Sequence, residues 1–236
     1  MKKIIHRADT RGNANHGWLN SFHTFSFAAY QEPSRMHFGL LRVLNDDVVA
    51  AGKGFGAHPH ENMEIISIPL SGALKHQDNT GRTEIIHSGD VQIMSAGSGI
   101  THSEMNASNI DPVNFLQVWI FPKKDNIPAR YEQKSYAAED RQNKFQIVVS
   151  PKEEEGGVWI NQDAWFSLTD LNAGHDLTYQ RHLTGNGIYL FVLDGEIEVA
   201  DEKLSKRDAI GISDTEAIQI RAAANSKLLL IEVPMN

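Results

Sequence analysis

Two stretches of the chain carry paired side chains whose types and spacing suit metal binding. His58 and His60 are separated by one residue in a glycine-rich stretch, and His102 and Glu104 have the same spacing further along the chain. Alternate side chains of an extended strand point to one face, so the two members of each pair would face the same way. Three imidazoles and a carboxylate form a mixed nitrogen and oxygen set that suits divalent Fe, Mn, Co, Ni, Cu or Zn. The spacing therefore predicts a transition-metal site.

Strand spacing alone leaves the carboxylate of this site open. An unbroken strand would put Glu64 on the face of His60, and it would equally put Glu104 on the face of His102. Pro59, between the first two histidines, has no N–H to donate to a neighbouring strand. We therefore expect the first stretch at a sheet edge or a β-bulge, where a site can open.

Length, charge and composition limit the classes of protein to consider. With about 150 residues per domain as a guide, 236 residues predict one or two domains. A net charge of −8, a pI near 5.7 and the lack of a basic patch argue against direct nucleic-acid binding. The sequence has no signal-peptide pattern and no run of 18 apolar residues, so we expect a cytoplasmic protein without a membrane span. The absence of cysteine excludes disulfides and thiolate metal ligands.

Short apolar segments separated by turn residues predict an all-β fold. Examples are residues 65–70, 85–94 and 115–121, and no long amphipathic helix pattern appears in the first half. Many short strands at even spacing are typical of a sandwich or barrel. Asn45-Asp46-Asp47 has turn composition and predicts a turn before Val48. His16-Gly17 is interpreted as a further turn.

A charged segment divides the chain into two predicted domains. Residues 123–144 have few large aliphatic side chains and many charges, so we interpret them as a linker with one short helix near Ala137–Gln142. The linker would separate an N-terminal metal-binding domain, residues 1–122, from a C-terminal domain, residues 145–236.

The second half repeats the first faintly. Gly195 follows a strand pattern as Gly72 does, at an offset of 123 residues. That offset carries His58 onto Arg181, which cannot replace it as a metal ligand. We interpret His182 as a polar surface or core residue, and we expect one metal per chain.

The spacing of the glycines and ligands resembles the two cupin motifs. It departs from them by an extra residue before Gly72, a serine where proline is usual, and an altered gap between glycine and histidine. With these departures, the sequence resembles the pirin family of bicupins. The resemblance is dense in the first half and architectural in the second. The segments that carry it are His16–Leu19, His23–Phe27, His58–His60 and Ala96–Glu104.

The resemblance implies two cupin-type β-sandwich or barrel (jelly-roll) domains, with one non-haem iron in the N-terminal domain. It carries the ligand roles to His58, His60, His102 and Glu104, and it implies Fe(II) as the bound metal. Glu64 would then orient a ligand imidazole through a hydrogen bond.

The resemblance also implies an activity. Many bacterial pirin-like proteins are quercetin 2,3-dioxygenases, which open flavonols with O2, and Glu104 would take the flavonol proton. The alternative that it implies is an iron-dependent, non-enzymatic regulator that binds a protein partner. We favour the enzyme because the chain is acidic and has no basic patch.

A flat aromatic substrate would require an apolar pocket beside the metal. Side chains near the predicted ligands could supply it, although core packing is a competing interpretation for several of them. The candidates are His23, Phe25, Phe27, Phe55, Met94 and Met105.

Overall fold

The short apolar segments of the sequence form twenty-two β-strands, separated mostly by turns on glycine and asparagine. The computed structural model describes all residues 1–236. The prediction of an all-β fold is confirmed, because the only helices are four short 3-10 helices. None of them is long or apolar enough to cross a membrane. One, at Ala138–Arg141, is the short helix expected near Ala137–Gln142. The other three are Ala8–Thr10, Pro33–Arg35 and Glu153–Glu155.

The strands divide into two sets along the chain. The first twelve are β1 Lys2–His6, β2 Gly12–Asn15, β3 Leu19–His23, β4 Leu41–Val49, β5 Gly54–His60, β6 Glu64–Ser71, β7 Ala73–Asp78, β8 Thr83–His87, β9 Asp90–Ser95, β10 Ile100–Asn106, β11 Val113–Ile120 and β12 Arg130–Ser135. The remaining ten are β13 Gln146–Ser150, β14 Val158–Trp159, β15 Trp165–Leu171, β16 Asp176–Gln180, β17 Asn186–Asp194, β18 Glu196–Val199, β19 Glu202–Ser205, β20 Ala209–Ser213, β21 Ala217–Ala222 and β22 Ser226–Pro234.

The strands build two sandwiches, each from one seven-stranded and one four-stranded sheet, and β1 belongs to the second sandwich. The first sandwich has the orders β12-β9-β6-β11-β4-β3-β2 and β5-β10-β7-β8. The second sandwich has the orders β1-β20-β17-β22-β15-β13-β14 and β16-β21-β18-β19. The largest hydrophobic core, 25 buried residues, lies between the two seven-stranded sheets and joins the two sandwiches. The weak sequence repeat therefore reflects two similar sandwiches packed on each other.

Two strands depart from the domain organisation proposed from the sequence. Lys2–His6 pairs with β20 of the second sandwich, and Arg130–Ser135, expected in the linker, pairs with β9 of the first. The proposed boundaries at residues 122 and 145 otherwise remain a prediction. Lys2–His6 thus ties the start of the chain to the second sandwich, and the first sandwich extends past residue 122.

The predicted turn at Asn45–Asp47 is wrong, because β4 continues through these three buried residues. The two aspartates find partners within the protein, whereas the side-chain oxygen of Asn45 has none. Asp46 forms an ion pair with Arg207, at 2.9 Å between Oδ2 and Nε. Asp47 accepts a hydrogen bond from the Ser21 hydroxyl on β3. Partners from distant strands thus allow two aspartates to lie in the middle of a strand.

Candidate metal centre

Three histidines converge on the inner face of the four-stranded sheet in the first sandwich. His58 and His60 lie on β5, which is an edge strand, and His102 lies opposite His58 on β10. One ring nitrogen from each histidine lies within 4.8 Å of the others. The edge position expected from Pro59 is confirmed, and the register between the strands shifts just after His102. The shift re-aims the strand that carries the third histidine.

The hydrogen bonds of these imidazoles leave nitrogen lone pairs free for a ligand. His58 Nδ1 lies 2.7 Å from the carbonyl oxygen of Gly56, which can only accept, so Nδ1 carries the proton and Nε2 is the free nitrogen. Neither ring nitrogen of His102 has a hydrogen-bond partner, although the residue is only 2% exposed. Buried polar atoms without partners are rare in proteins. A bound cation would satisfy them, so the cluster fits a divalent metal.

Burial also keeps the imidazoles neutral. Desolvation, helped by the neighbouring His58, lowers the pKa of His60 to about 4. Desolvation and the nearby histidines lower the pKa of His102 to about 3. Metal binding requires the neutral imidazole, so no proton has to leave either ring at neutral pH.

Glu104 lies next to this cluster but outside the group of mutually close ligand atoms. It sits on β10, opposite His76 of β7, and is 1% exposed. Its Oε1 accepts a hydrogen bond from Ser67 Oγ at 2.8 Å, and its Oε2 accepts one from Gln117 Nε2 at 2.8 Å. Burial raises the pKa of Glu104, against the opposing effect of these hydrogen bonds. The carboxylate is thus held at both oxygens beside the histidines.

Glu64 lies elsewhere, at the contact between the sandwiches. Its Oε2 accepts hydrogen bonds from Ser95 Oγ at 2.7 Å and from the backbone N–H of Asn161 at 3.1 Å. No imidazole is among its partners, so the hydrogen bond predicted to orient a ligand is not formed. Burial raises the pKa of this carboxyl.

A further histidine and carboxylate lie behind the cluster. His76 Nε2 and Asp78 Oδ2 are 2.9 Å apart, and both side chains are 1% exposed. The ring of His76 lies 5.4 Å from that of His102, centroid to centroid. This pair was not predicted from the sequence. Its signal was present, because the two residues have the same alternate spacing as the other two pairs.

A cavity of about 470 Å³ opens beside His58 and His60. Three of the predicted pocket residues line it: His23, Phe27 and Phe55. Lining residues that the sequence analysis missed are His16, Trp18, Asp47, Gln117 and Trp119. The indole of Trp119 meets the ring of His60 edge to face, with the centroids 5.1 Å apart. Gln117 and Trp119 have alternate positions on β11, so the sequence could have placed them on one face of a strand. Nothing in the sequence placed that strand opposite the histidines.

The other three predicted pocket residues lie outside the cavity. Phe25 and Met94 are each 1% exposed and belong to hydrophobic cores, Phe25 between the sandwiches and Met94 in a small cluster of four. Met105 follows Glu104 on β10, so it points to the opposite face of the sheet. For these residues the prediction of a pocket role is wrong.

The pairing of strands in the second sandwich shows that Arg181 does not occupy the position equivalent to His58. Tyr179 on β16 lies opposite Ile218 on β21, as His58 lies opposite His102. Tyr179, and not Arg181, therefore takes the position of His58. The chain's only group of three or more closely spaced metal-ligand atoms is the one formed by the histidines of the first sandwich.

Comparison with known proteins agrees with this arrangement. Residues 5–120 match the family model described as Pirin, and residues 147–233 match that of the quercetinase C-terminal cupin domain. Quercetin 2,3-dioxygenase of Escherichia coli K12 is 42% identical over 98% of both chains. A pirin-like protein of Caulobacter vibrioides is 40% identical over 95% of this chain and 96% of its own. The crystal structure of the bacterial pirin YhhW from Escherichia coli in complex with nickel(II) superposes with a TM-score of 0.94, at 40% identity over 99% of each chain. The chain described here belongs to the pirin family, whose two cupin sandwiches it shares.

Proposed function

We propose that this protein is a metal-dependent dioxygenase of the quercetin 2,3-dioxygenase type, which opens a flavonol ring with O2. The observation that carries the proposal is the three-histidine cluster at the wall of a cavity lined by aromatic side chains. A cavity of about 470 Å³ is in the range that takes small organic ligands. Full-length relatives bear the name of this enzyme.

The proposed metal ligands are His58, His60 and His102, with Glu104 as the fourth. Fe(II) is the proposed metal in the cell, although Mn, Co, Ni, Cu and Zn suit the same donors. A metal held there would supply a Lewis acid that lowers the pKa of a substrate hydroxyl, together with open positions for substrate and O2. The nickel complex of the related pirin supports a divalent ion.

The side chains of the cavity would bind and orient the substrate. Phe27, Phe55 and Trp119 present flat apolar surfaces to a planar ring system. Trp18 packs edge to face on Phe55, with ring centroids 5.5 Å apart, and lines the cavity beside it. A bound substrate would displace water from these surfaces, which would strengthen the electrostatic interactions within the site.

The test is oxygen consumption with quercetin. Iron-loaded protein is expected to consume O2 and bleach the visible absorption of quercetin, and a chelator is expected to stop both. Because free iron and light also oxidise flavonols, the control is His60→Ala protein with the same added iron. Equal consumption by both proteins over a range of flavonols would contradict the proposal. It would favour metal-dependent binding of a protein partner instead.

A further inference from the structure

The cavity wall that faces the metal-binding histidines carries a buried acid outside the predicted ligand set. Asp47 on β4 lines the cavity and is 2% exposed. Its Oδ1 accepts a hydrogen bond from the hydroxyl of Ser21, which also lines the cavity. No donor of the chain reaches Oδ2 of Asp47. One oxygen of this carboxyl is therefore fixed, and the other is free to accept from a molecule in the cavity.

The neighbouring acid on the same strand, Asp46, is paired with cations. Asp46 pairs with Arg207 at 2.9 Å and with Arg11 at 3.4 Å, and it also accepts from Asn114 Nδ2 at 2.8 Å. Asp47 has no cation partner. A buried carboxylate without a cation is costly and persists where it has a function.

Burial gives Asp47 the proton affinity that such a function needs. Desolvation raises the pKa of Asp47 to about 7; the hydrogen bond from Ser21 opposes the rise, and the charges of Asp46 and Glu104 add to it. Near neutral pH the carboxyl therefore exists in both protonation states. A proton acceptor works best when its pKa lies close to the working pH.

Glu104 is less well placed to meet a substrate. Both of its oxygens are already hydrogen-bonded, to Ser67 and Gln117, and it does not line the cavity. Asp47 has a free oxygen and lies on the wall that a substrate seated against His58 and His60 would face.

We propose that Asp47 binds and deprotonates a hydroxyl of the aromatic substrate, an inference that rests on the proposed function of the cavity. In this step the substrate O–H bond breaks and its electron pair stays on the substrate oxygen. The proton forms a new bond to Oδ2 of Asp47. Nothing is oxidised or reduced, and no co-reactant is required. Glu104 is then left to the metal, and Asp47 sets the preference for hydroxylated rings.

Asp47→Asn is the variant that tests this step, because the amide keeps the acceptor for Ser21 but cannot take a proton. Nickel-loaded wild type and variant are titrated with quercetin under argon at pH 7, and absorption reports whether the bound flavonol is the anion, which absorbs at longer wavelength. We expect the wild type to bind the anion. The variant should bind the neutral form, about tenfold or more weakly, with equal metal content. With iron and O2, the variant should lose kcat by about 10²- to 10⁴-fold with a smaller change in KM.

Several ionisable groups surround the cavity, so the readout is the bound spectrum at one pH instead of a pH profile. These groups are Asp46 on the same strand, His16, His23, His58 and His60 on the cavity wall, and Glu104 on β10. The matched control is Asp46→Asn, which removes a neighbouring buried acid that does not line the cavity. It should lower thermal stability and leave the bound spectrum as in wild type.

The possible results judge the role of Asp47 and the dioxygenase proposal separately. An unchanged spectrum and affinity in metal-loaded Asp47→Asn would overturn it. Asp47→Ala must reproduce the loss, and it serves as the second variant if the amide does not fold. Wild type that binds the flavonol anion without consuming O2 would sink the dioxygenase proposal, while the variant still judges Asp47. Wild type that does not bind quercetin would overturn both.

Discussion

The two sandwiches share the order of their central strands but differ in the side chains that fill them. In register, Glu104, His76 and His102 of the first sandwich correspond to Ile220, Val199 and Ile218 of the second. The interior of the second is a continuous cluster of 15 buried apolar residues. The comparable apolar cluster of the first has six members, beside a row of buried histidines and carboxylates. One architecture thus supports either a polar site or a hydrophobic core.

The polar groups of the two sandwiches differ in a second way. Glu232, at the end of the second sandwich, accepts hydrogen bonds from the Tyr179 hydroxyl, the His182 and Leu183 backbone N–H groups and Asn186 Nδ2. Both of its oxygens are satisfied within the chain. The first sandwich instead leaves both nitrogens of His102 without partners. Fully paired buried polar groups hold a loop in place, whereas unpaired ones mark where a ligand belongs.

The largest expected difference between the sandwiches is in metal content. Loaded wild-type protein should hold one transition metal per chain, and His60→Ala should lose it because a ligand of the cluster is removed. His182→Ala should keep it, because His182 lies beside Glu232 in the second sandwich. Elemental analysis of the dialysed proteins provides the measurement. Two tightly held metals per chain, or loss of metal in His182→Ala, would break the comparison.

Much of the metal cluster could be predicted from the sequence because its pattern is local. Strand periodicity puts His58 and His60 on one face of a strand, and the resemblance to the pirin family joins His102 to them. The opposite wall could not be predicted. The Asn45–Asp47 triplet has turn composition, and only the fold brings Ser21 and Arg207 to it. Short-range patterns predict faces of strands, but they do not predict which distant strands meet.

The strand at Arg130–Ser135 escaped prediction for a related reason. Arg130–Ser135 has no buried residue and carries charges, which is the composition of a linker. Its pairing with β9 rests on backbone hydrogen bonds, which composition does not report. The weak repeat was similarly misaligned by two residues at Tyr179, because the offset was taken from a turn glycine and the strands between have different lengths.

Ile220→Glu places a carboxyl in the second sandwich at the position of Glu104. That site has no equivalents of Ser67 and Gln117 to donate hydrogen bonds, since its surroundings are apolar. We expect the free energy of unfolding to fall by about 3–5 kcal/mol, as for an uncompensated buried charge. Ile220→Val, the matched control, should cost about 0.5–1.5 kcal/mol. Urea unfolding measures both values, and equal costs would show that the second interior tolerates a polar site.

Substitutions of the two carboxylates, Glu104 and Glu64, should differ in their effect on the metal affinity of the protein. Glu104→Gln should lower it by more than about 100-fold, beyond the range for residues that only support a metal site, because Glu104 is a proposed ligand. The new amide would also face the Gln117 N–H group with a donor. Glu64→Gln should lower it less, because Glu64 contacts Ser95 and Asn161 and no histidine. Competition with a chelator measures the affinities. The reverse order would return the carboxylate role to Glu64, the alternative that strand spacing left open.

Asp47→Asn should raise stability, unlike the other substitutions. Burial raises the pKa of Asp47 from 3.8 to about 7 in the folded protein, so the folded state holds its proton more tightly than the unfolded chain. Below pH 4 the carboxyl is protonated in both states and contributes nothing. As the pH rises from about 4 to 7, the unfolded chain releases this proton and the folded protein does not, so stability falls, and the full cost is present above pH 7.

The amide does not ionise and removes that cost. Asp47→Asn should therefore melt close to wild type at pH 4 and above it at pH 8, by at least about 2–4 °C for each kcal/mol recovered. Asp46→Asn provides the contrast at pH 8, because it breaks ion pairs with Arg11 and Arg207 and should melt below wild type. Thermal unfolding of the three proteins at the two pH values measures the effect. A melting difference between Asp47→Asn and wild type that does not change with pH would mean that Asp47 titrates alike in the folded and unfolded chains. The wall facing the histidines would then hold an ordinary buried acid, and the contrast between a paired Asp46 and a poised Asp47 would disappear.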